Sequence, residues 1–141
     1  MILLDTNVVS ETMRRSPDRT VVAWLDAQAA ETLHLSAVSL VELLFGIASL
    51  PDGRRKVELG LALGTQAASL FGPRVIAFDE AAARAFAVVM SRARSAGRAI
   101  GFADGQIAAT AAAHDLIVAT RDAAPFEAAG IRVIDPWQGA A

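Results

Sequence analysis

Short, mainly apolar runs recur along the chain and are separated by longer segments of mixed character. The first run, ILL at 2–4, leads straight into Asp5, and the most strand-like run, LIVAT at 116–120, leads into Arg121 and Asp122. Runs of this length and composition are typical of buried β-strands. We therefore predict strands at 2–5, 33–37, 74–78, 116–120 and 131–135.

Between these runs, apolar residues recur at the spacing of an amphipathic helix. In RTVVAWLDAQAA (19–30), for example, Val21, Trp24 and Leu25 fall on one helix face. Capping residues and helix breakers set the predicted ends. We predict helices at 7–14, at 19–30, from Ser39 to a stop at Pro51, at about 56–71, from a cap at Asp79 to Gly97, and at 102–115.

Strands that alternate with helices are typical of a mostly parallel sheet with helices on both faces. The sequence thus predicts an α/β fold, a three-layer α/β/α sandwich with four to five strands. We expect a single domain over residues 1–141, without repeats or linkers. Ligands of such sheets bind beyond the carboxyl ends of the strands. Because Asp5 ends one strand and Asp122 follows another, this edge gains an acid from each.

The amino-acid composition is compatible with this fold and bears on the compartment in which the protein is expected to act. The chain has 141 residues, 54% of them hydrophobic and 20% charged, which supports a core and argues against disorder. The absence of Cys excludes disulfides and thiolate metal ligands and is compatible with a reducing cytoplasm. We expect neither a signal peptide nor a membrane span. The N-terminal apolar run stops at Asp5, and the most apolar stretch contains Glu42.

Four acids have ordinary structural explanations when each is considered singly. Asp5 lies where it can cap the first helix, and Asp122 lies where it can cap a short turn or helix. Glu42 stands three residues after Ser39, which is the spacing of a capping box. Asp104 lies in the first turn of its predicted helix, where a carboxylate gains about 0.3–1 kcal/mol from the helix dipole.

Considered together, the same four acids favour a metal site. If the helices that carry Glu42 and Asp104 begin at the sheet edge that carries Asp5 and Asp122, all four carboxylates face one cleft. Carboxylates within about 4–6 Å of one another repel unless a cation lies between them. A ligand set made only of oxygen atoms is typical of Mg²⁺ or Mn²⁺.

Ordered motifs carry a resemblance that covers nearly the whole chain. They are MILLDTNVVSE (1–11), VELLFGI (41–47), ADGQIAATAAAHDLIVATRD (103–122) and the terminal DPW (135–137). Together they resemble the PIN-domain ribonucleases, and in particular the VapC toxins of bacterial toxin–antitoxin pairs in their FitB-like branch. DTN alone is a weak signal, whereas the ordered set is specific.

The resemblance implies roles for individual residues. Thr120 would orient a water bound to the metal, and Thr6 and Asn7 would shape the acidic cleft. Asp104 is the candidate that accepts the proton of the attacking water. The acids that match the metal ligands of the family, for Mg²⁺ or Mn²⁺, are Asp5, Glu42, Asp104 and Asp122.

The resemblance also implies an activity and partners. The reaction would be hydrolysis of RNA phosphodiester bonds to a 5′-phosphate and a 3′-hydroxyl. An antitoxin of the VapB or FitA type would inhibit it by placing an Arg or Lys in the cleft. Members of the family are usually homodimers, and DNA would be reached only through the antitoxin. Such a ribonuclease would act in the cytoplasm.

The formal net charge of −2 does not exclude RNA as a substrate. If four of the 15 acids are occupied by metal, 13 basic residues face 11 acids, a balance of +2. Charge runs are usually solvated surface, but together they could follow a phosphate backbone. Arg121 is nearer the expected site and could contact substrate or form an ion pair. The basic clusters are Arg14 and Arg15; Arg54, Arg55 and Lys56; and Arg92, Arg94 and Arg98.

Other ionisable residues are expected to have structural roles. His34 and His114 lack a second His at ligand spacing, so we interpret them as core or helix-end residues. Eight further acids match no motif and are interpreted as caps or solvated charges. These are Asp18, Asp26, Asp52, Asp79, Glu80, Asp115, Glu127 and Asp135.

Three other functions compete with a nuclease. A phosphatase of the HAD kind needs a second Asp two positions after the first, where this chain has Asn7. A receiver-type signalling domain needs a Lys after a late strand, where LIVATRD offers Arg and Asp instead. The third is a catalytically silent PIN scaffold that acts through a DNA-binding antitoxin in transcriptional autoregulation. It stays open, although a silent scaffold is expected to lose one or more of the four acids.

Overall fold

The apolar run at the start of the chain forms the central strand of the sheet. The computed structural model describes residues 1–139, and within them five strands form one parallel sheet. The strands are β1 (Ile2–Leu4), β2 (Leu33–Ser36), β3 (Val75–Ile76), β4 (Ile117–Ala119) and β5 (Val133–Ile134). Their spatial order is β3-β2-β1-β4-β5. The prediction of a mostly parallel sheet of four to five strands is confirmed.

Helices cover both faces of the sheet, which confirms the predicted three layers. In β1, Ile2 and Leu4 pack with the helices between residues 6 and 65 on one face, whereas Leu3 packs with the helices between residues 80 and 128 on the other. Successive side chains of a strand point to opposite faces, so a strand buried on both sides is apolar throughout. The helices are α1 (Thr6–Thr12), α2 (Arg19–Asp26), α3 (Ala37–Ala48), α4 (Arg54–Thr65), α5 (Glu80–Ser95), α6 (Phe102–His114) and α7 (Ala123–Ala128).

Small residues bring α6 close to α5. Gly105, in the first half of α6, is buried, and a Cβ atom there would lie 2.6 Å from Met90 Sδ and 3.0 Å from Phe86 Cε2. The Ala-rich face that follows is also buried. This close packing fixes the N-terminal turn of α6, which carries Asp104, against the rest of the fold.

The predicted helix start at Ser39 is wrong. Helix α3 begins at Ala37, and its cap is Ser36, whose Oγ accepts a hydrogen bond of 2.9 Å from the Ser39 N–H group. Glu42 therefore lies in the second turn rather than the first, and the expected capping box does not form. The carboxylate of Glu42 is thereby free of a capping role.

Other boundaries also differ from the prediction. The predicted strand at 74–78 is reduced to β3, and the helix predicted at 19–30 ends at Asp26. The helix predicted from about 56 begins at Arg54, and its last part, Gln66–Phe71, is π-helical. The cap at Asp79 is confirmed by a hydrogen bond of 3.0 Å from the Ala82 N–H group. The prediction of one domain over 1–141 stays a prediction, and its last two residues lie outside those described.

Among residues 1–139, we find no helix whose length and apolar character would suit it to crossing a bilayer.

Candidate active site

An acidic cleft of about 300 Å³ lies at the carboxyl edge of the sheet. Asp5 follows β1 directly, and Asp122 follows β4 after two residues. Asp104 lies in the first turn of α6, and Glu42 comes from the second turn of α3. The structure thus brings the four acids from four elements into one cleft. Its lining residues are Asp5, Thr6, Asn7, Ser10, Glu42, Asp104 and Asp122.

Asp5 is the buried acid of the cleft, with 5% of its surface exposed. Its Oδ1 accepts a hydrogen bond of 2.7 Å from the Thr6 N–H group, and its Oδ2 accepts one of 2.7 Å from Thr120 Oγ1. Burial is the main cause that raises the pKa of Asp5 from 3.8 to about 6, and the negative charges of Asp104 and Glu42 contribute to the rise. Both hydrogen bonds oppose it. The capping role expected for Asp5 is therefore real, but it engages only one of the two oxygens.

Asp104 is half-buried and interacts with the other acids. Burial raises the pKa of its carboxyl above the ordinary value, and repulsion from Glu42 and Asp122 raises it further. Because Asp5 also interacts with Asp104 and Glu42, all four carboxylates lie within one electrostatic environment. A cation in the cleft would relieve this repulsion.

The side chain of Thr120 links several segments of the cleft by hydrogen bonds. Its side chain is fully buried, and its hydroxyl donates to Asp5 Oδ2. Thr120 Oγ1 in turn accepts hydrogen bonds of 3.2 Å from Asn7 Nδ2 and 3.1 Å from the Asp122 N–H group. One buried hydroxyl thus joins the end of β1, the first turn of α1 and the loop after β4. In this arrangement Thr120 holds Asp5 in place, and direct contact with a water in the cleft would require its hydroxyl to turn away.

Glu42 and Asp122 are both exposed, and neither serves as the helix cap that was considered for it. Glu42 Oε1 accepts a hydrogen bond of 2.7 Å from Thr6 Oγ1. Asp122 stands at the N-cap position of α7, but its carboxylate forms no capping hydrogen bond within the described part of the chain. The cap explanation of Asp122 is therefore wrong.

The cleft suits a hard cation chemically but is not arranged as a finished coordination shell. Its acids offer only oxygen ligands, as Mg²⁺ and Mn²⁺ prefer. Among residues 1–139, no three His, Asp or Glu side chains stand so that they could hold one ion together. Asp5 is fixed by its hydrogen bonds, whereas the exposed Glu42 and Asp122 can change rotamer. Ion binding would therefore require the exposed side chains to close on the buried one.

Arg94, Arg98 and Arg121 are not among the residues that line the cleft. Arg121 lies over Trp137, with its guanidinium carbon 5.1 Å from the ring centroid, and its backbone N–H donates to Asn7 Oδ1. Arg94 and Arg98 line a separate cavity of about 550 Å³, which shares no lining residue with the cleft in the described chain. These arginines therefore do not form one continuous surface with the acids.

The two histidines lie outside the cleft. His34 is half-buried in β2, with Nδ1 3.2 Å from the Thr32 carbonyl oxygen. His114 is exposed in the last turn of α6. Both positions match the core and helix-end roles expected from the sequence.

Two polar residues of α1, Ser10 and Glu11, were not predicted from the sequence to have a role. Ser10 lines the cleft, and its position four residues after Thr6 is the signal that could have found it. Glu11 is buried with 5% exposure, and its carboxylate accepts hydrogen bonds from Arg14 and from the Asp18 N–H group. It falls three residues after Val8, on the buried face of α1. Glu11 has a structural role rather than a place in the cleft.

Acids from four elements, gathered at the carboxyl edge of a five-stranded parallel sheet, define the kind of domain expected from the motifs. The family model described as PIN domain matches residues 2–131, and the chain belongs to this family.

Individual relatives extend over the whole length of the chain. It is 50% identical to VapC ribonuclease Y4jK of Sinorhizobium fredii, over 99% of this chain and 100% of that protein. It is 47% identical to toxin FitB of Neisseria gonorrhoeae, over 97% of this chain and 99% of that protein. The crystal structure of FitAcB from the same organism matches with a TM-score of 0.92 and 47% identity, over 97% of this chain and 99% of that one. The predicted resemblance and the predicted fold class are both confirmed.

Proposed function

We propose that this chain is the toxin of a toxin–antitoxin pair and that it hydrolyses RNA phosphodiester bonds with a divalent metal ion. The observation that carries the proposal is the cleft lined by Asp5, Glu42, Asp104 and Asp122. Burial and mutual repulsion raise the pKa of two of these acids, Asp5 and Asp104, and perturbed pKa values of this kind cluster at functional sites. Support also comes from the full-length relative named as a ribonuclease.

The four acids are the proposed ligands of Mg²⁺ or Mn²⁺. When bound, such an ion lowers the pKa of water and neutralises charge on the departing oxygen. Asp5 would be the fixed ligand, because Thr6 and Thr120 already hold both of its oxygens in place.

The residues of the chain have distinct parts in this reaction. Asp104, whose pKa is raised, is the proposed acceptor of the proton of the attacking water. Thr120 would act through Asp5 by fixing the direction of its carboxylate. The expected products are a 5′-phosphate and a 3′-hydroxyl.

The cleft also fits an inhibitor that brings a positive charge. We propose an antitoxin of the VapB or FitA type, whose Arg or Lys would pair with the acids in place of the metal. A solved relative is FitAB bound to the IR36 DNA fragment, which this chain matches with a TM-score of 0.94 and 43% identity, over 100% of this chain and 99% of that one. By analogy, this chain would reach DNA only through its antitoxin. We further propose that it forms a homodimer and acts in the cytoplasm.

A nuclease assay with matched variants tests the proposal. The purified chain, free of antitoxin, is incubated with a mixed RNA pool and Mn²⁺ or Mg²⁺, beside Asp104→Asn and Asp115→Asn. Both substitutions lie on the same helix, but Asp115 is the exposed C-cap in the left-handed conformation, which Asn tolerates well. We expect Asp104→Asn to lose activity by at least a hundredfold and Asp115→Asn to keep it. Equal cleavage by all three proteins would mean a contaminating nuclease and a wrong assignment.

A metal titration separates the enzyme from the silent scaffold. The silent scaffold is a second candidate because the acids of the described residues are not arranged as a three-ligand metal site. We expect Mn²⁺ to raise the melting temperature of the wild type, and Asp104→Asn to lose most of this rise. Absence of any Mn²⁺ effect, together with absence of cleavage, would favour a scaffold that acts only through its antitoxin.

A further inference from the structure

A second depression opens directly from the acidic cleft. It is a groove of about 280 Å³ between α1, α3 and α4, and three residues that line it also line the cleft: Thr6, Ser10 and Glu42. A chain-like ligand with one group at the acids could therefore extend directly into this groove.

The floor of this groove is apolar. Leu43 is buried there, and Gly46 leaves open space because an added Cβ atom would meet nothing within 4 Å. An apolar floor can hold the face of a base or a sugar but offers nothing to a phosphate. The apolar lining residues are Met13, Leu43, Ile47, Leu50 and Leu59.

Two arginines, Arg14 and Arg55, also line the groove. The Arg14 guanidinium lies 3.3 Å from the Glu11 carboxylate, and Arg55 Nη2 lies 3.5 Å from the Met13 carbonyl oxygen. Each guanidinium has five N–H donors, so these contacts leave donors for a ligand. Glu11 balances only one of the two charges. The N-terminus of α4, next to Arg55, adds partial positive charge.

Acidic, apolar and basic linings thus meet in one continuous depression. A phosphodiester strand fits this combination, because one phosphate can lie at the acids with their cation while a neighbouring phosphate meets the arginines. A peptide that places an Arg or Lys at the cleft would also need an acidic residue at the right distance to meet the arginines, whereas phosphates recur along every nucleic-acid strand. The arrangement therefore favours a nucleic-acid strand.

We propose that this groove holds the RNA strand beside the scissile phosphate, with Arg14 and Arg55 bound to a backbone phosphate. The inference rests on the proposed ribonuclease function and adds the route of the substrate. The two arginines are positioning residues, since they would hold the strand without touching the reacting atoms. Their loss should weaken RNA binding and leave the chemical step intact.

The test uses neighbouring arginines as matched controls. Arg15 and Arg54 adjoin Arg14 and Arg55 in sequence, but neither lines the groove in the described structure. Binding of a fluorescent single-stranded oligoribonucleotide is measured by anisotropy at several KCl concentrations and one fixed Mn²⁺ concentration, in the Asp104→Asn background, which is expected to be inactive. We expect Arg14→Gln/Arg55→Gln to weaken binding about tenfold and to lower the salt slope by about 0.7, the value for one phosphate on a single strand. Arg15→Gln/Arg54→Gln should match the parent.

Each other outcome overturns the proposal in a recognisable way. Equal weakening by both double variants would mean general attraction of RNA by positive charge. If the wild type neither binds nor cleaves RNA in the presence of Mn²⁺, the proposed function fails with the inference. A third arm uses a labelled decapeptide rich in Leu and Glu. Should the groove variant lose this peptide while keeping RNA, the groove would be a protein-binding site.

Kinetics on the active protein give an independent check that does not disturb Glu11. Arg14→Gln removes the partner of a buried carboxylate and can lower stability, whereas Arg55 forms no ion pair within residues 1–139 and donates to a carbonyl oxygen at 3.5 Å. Arg55→Gln alone should raise KM severalfold with little change in kcat, and Arg54→Gln should change neither. A fall in kcat with an unchanged KM would contradict a positioning role, while cleavage by the wild type would leave the proposed function standing.

Discussion

The buried carboxylate of Asp5 makes a sharp prediction about stability in the absence of metal. A rise of its pKa from 3.8 to about 6 corresponds to about 3 kcal/mol, at 1.36 kcal/mol per pH unit. With 5% exposure, the group is too buried for solvent screening to reduce this figure greatly. Because the folded pKa lies above the unfolded value, the contribution of Asp5 to stability is fully present below about pH 4 and is lost as the pH rises through about 6.

Asp5→Asn removes the charge and keeps the shape. The amide has one acceptor oxygen, so it can accept from the Thr6 N–H group or the Thr120 hydroxyl but not from both, at a cost of about 1 kcal/mol. The variant should therefore be less stable than the wild type by about 1 kcal/mol at pH 4. At pH 7 it should be more stable by about 1–2 kcal/mol, because the wild type must then ionise a buried acid.

Urea unfolding in EDTA between pH 4 and pH 8 measures both free energies of unfolding. Asp18→Asn is the control, because Asp18 is an exposed cap whose oxygen also accepts backbone hydrogen bonds, from Thr20 and Val21. The difference in free energy of unfolding between Asp18→Asn and the wild type should change much less with pH. Stability curves of Asp5→Asn and wild type that run parallel from pH 4 to pH 8 would refute the reasoning, as would a variant that is the less stable protein at pH 7.

Two further substitutions test the packing around the cleft. Gly105→Ala should lower the free energy of unfolding by about 1–3 kcal/mol, because the new methyl group meets Met90 Sδ at 2.6 Å. Gly60→Ala, in the exposed middle of α4 where an added Cβ meets nothing within 4 Å, should instead raise it by about 0.5–1 kcal/mol; an equal loss at both sites would argue against crowding at Met90 as the cause. Thr120→Val should cost about 1–3 kcal/mol and raise the pKa of Asp5 further in an NMR titration, since it removes the hydrogen bond that lowers this pKa. Thr120→Ser should restore both values, and failure of Ser to do so would argue against the hydroxyl.

Local patterns were sufficient for the strands and for most helices of this protein. The run at 2–4 is apolar at every position because β1 is buried on both faces, and that pattern needs no knowledge of its neighbours. The N-cap at Asp79 is likewise a local matter of one side chain and the N–H group three residues on. The order of the acidic motifs was also enough to identify the family.

A local pattern failed where two candidate caps competed. Ser36 and Ser39 both precede a helical run, and the spacing from Ser39 to Glu42 favoured the later start. Strand β2 pairs with β1 and β3, and the pairing with β3 extends as far as Ser36, opposite Ile76. The end of the strand therefore determines where α3 begins, and Glu42 is released to line the cleft.

The amino-acid sequence alone determined the alternation of strands and helices and the identity of the four acids, because both depend on spacing within short segments. Only the tertiary structure decided how those acids are held. The hydrogen bond from Thr120 to Asp5 joins residues 115 positions apart, and that from Thr6 to Glu42 joins residues 36 apart. Contacts of this kind depend on which strands become neighbours in the sheet. The burial that raises the pKa of Asp5 has the same origin, since it exists only once the layers have packed on both sides of β1.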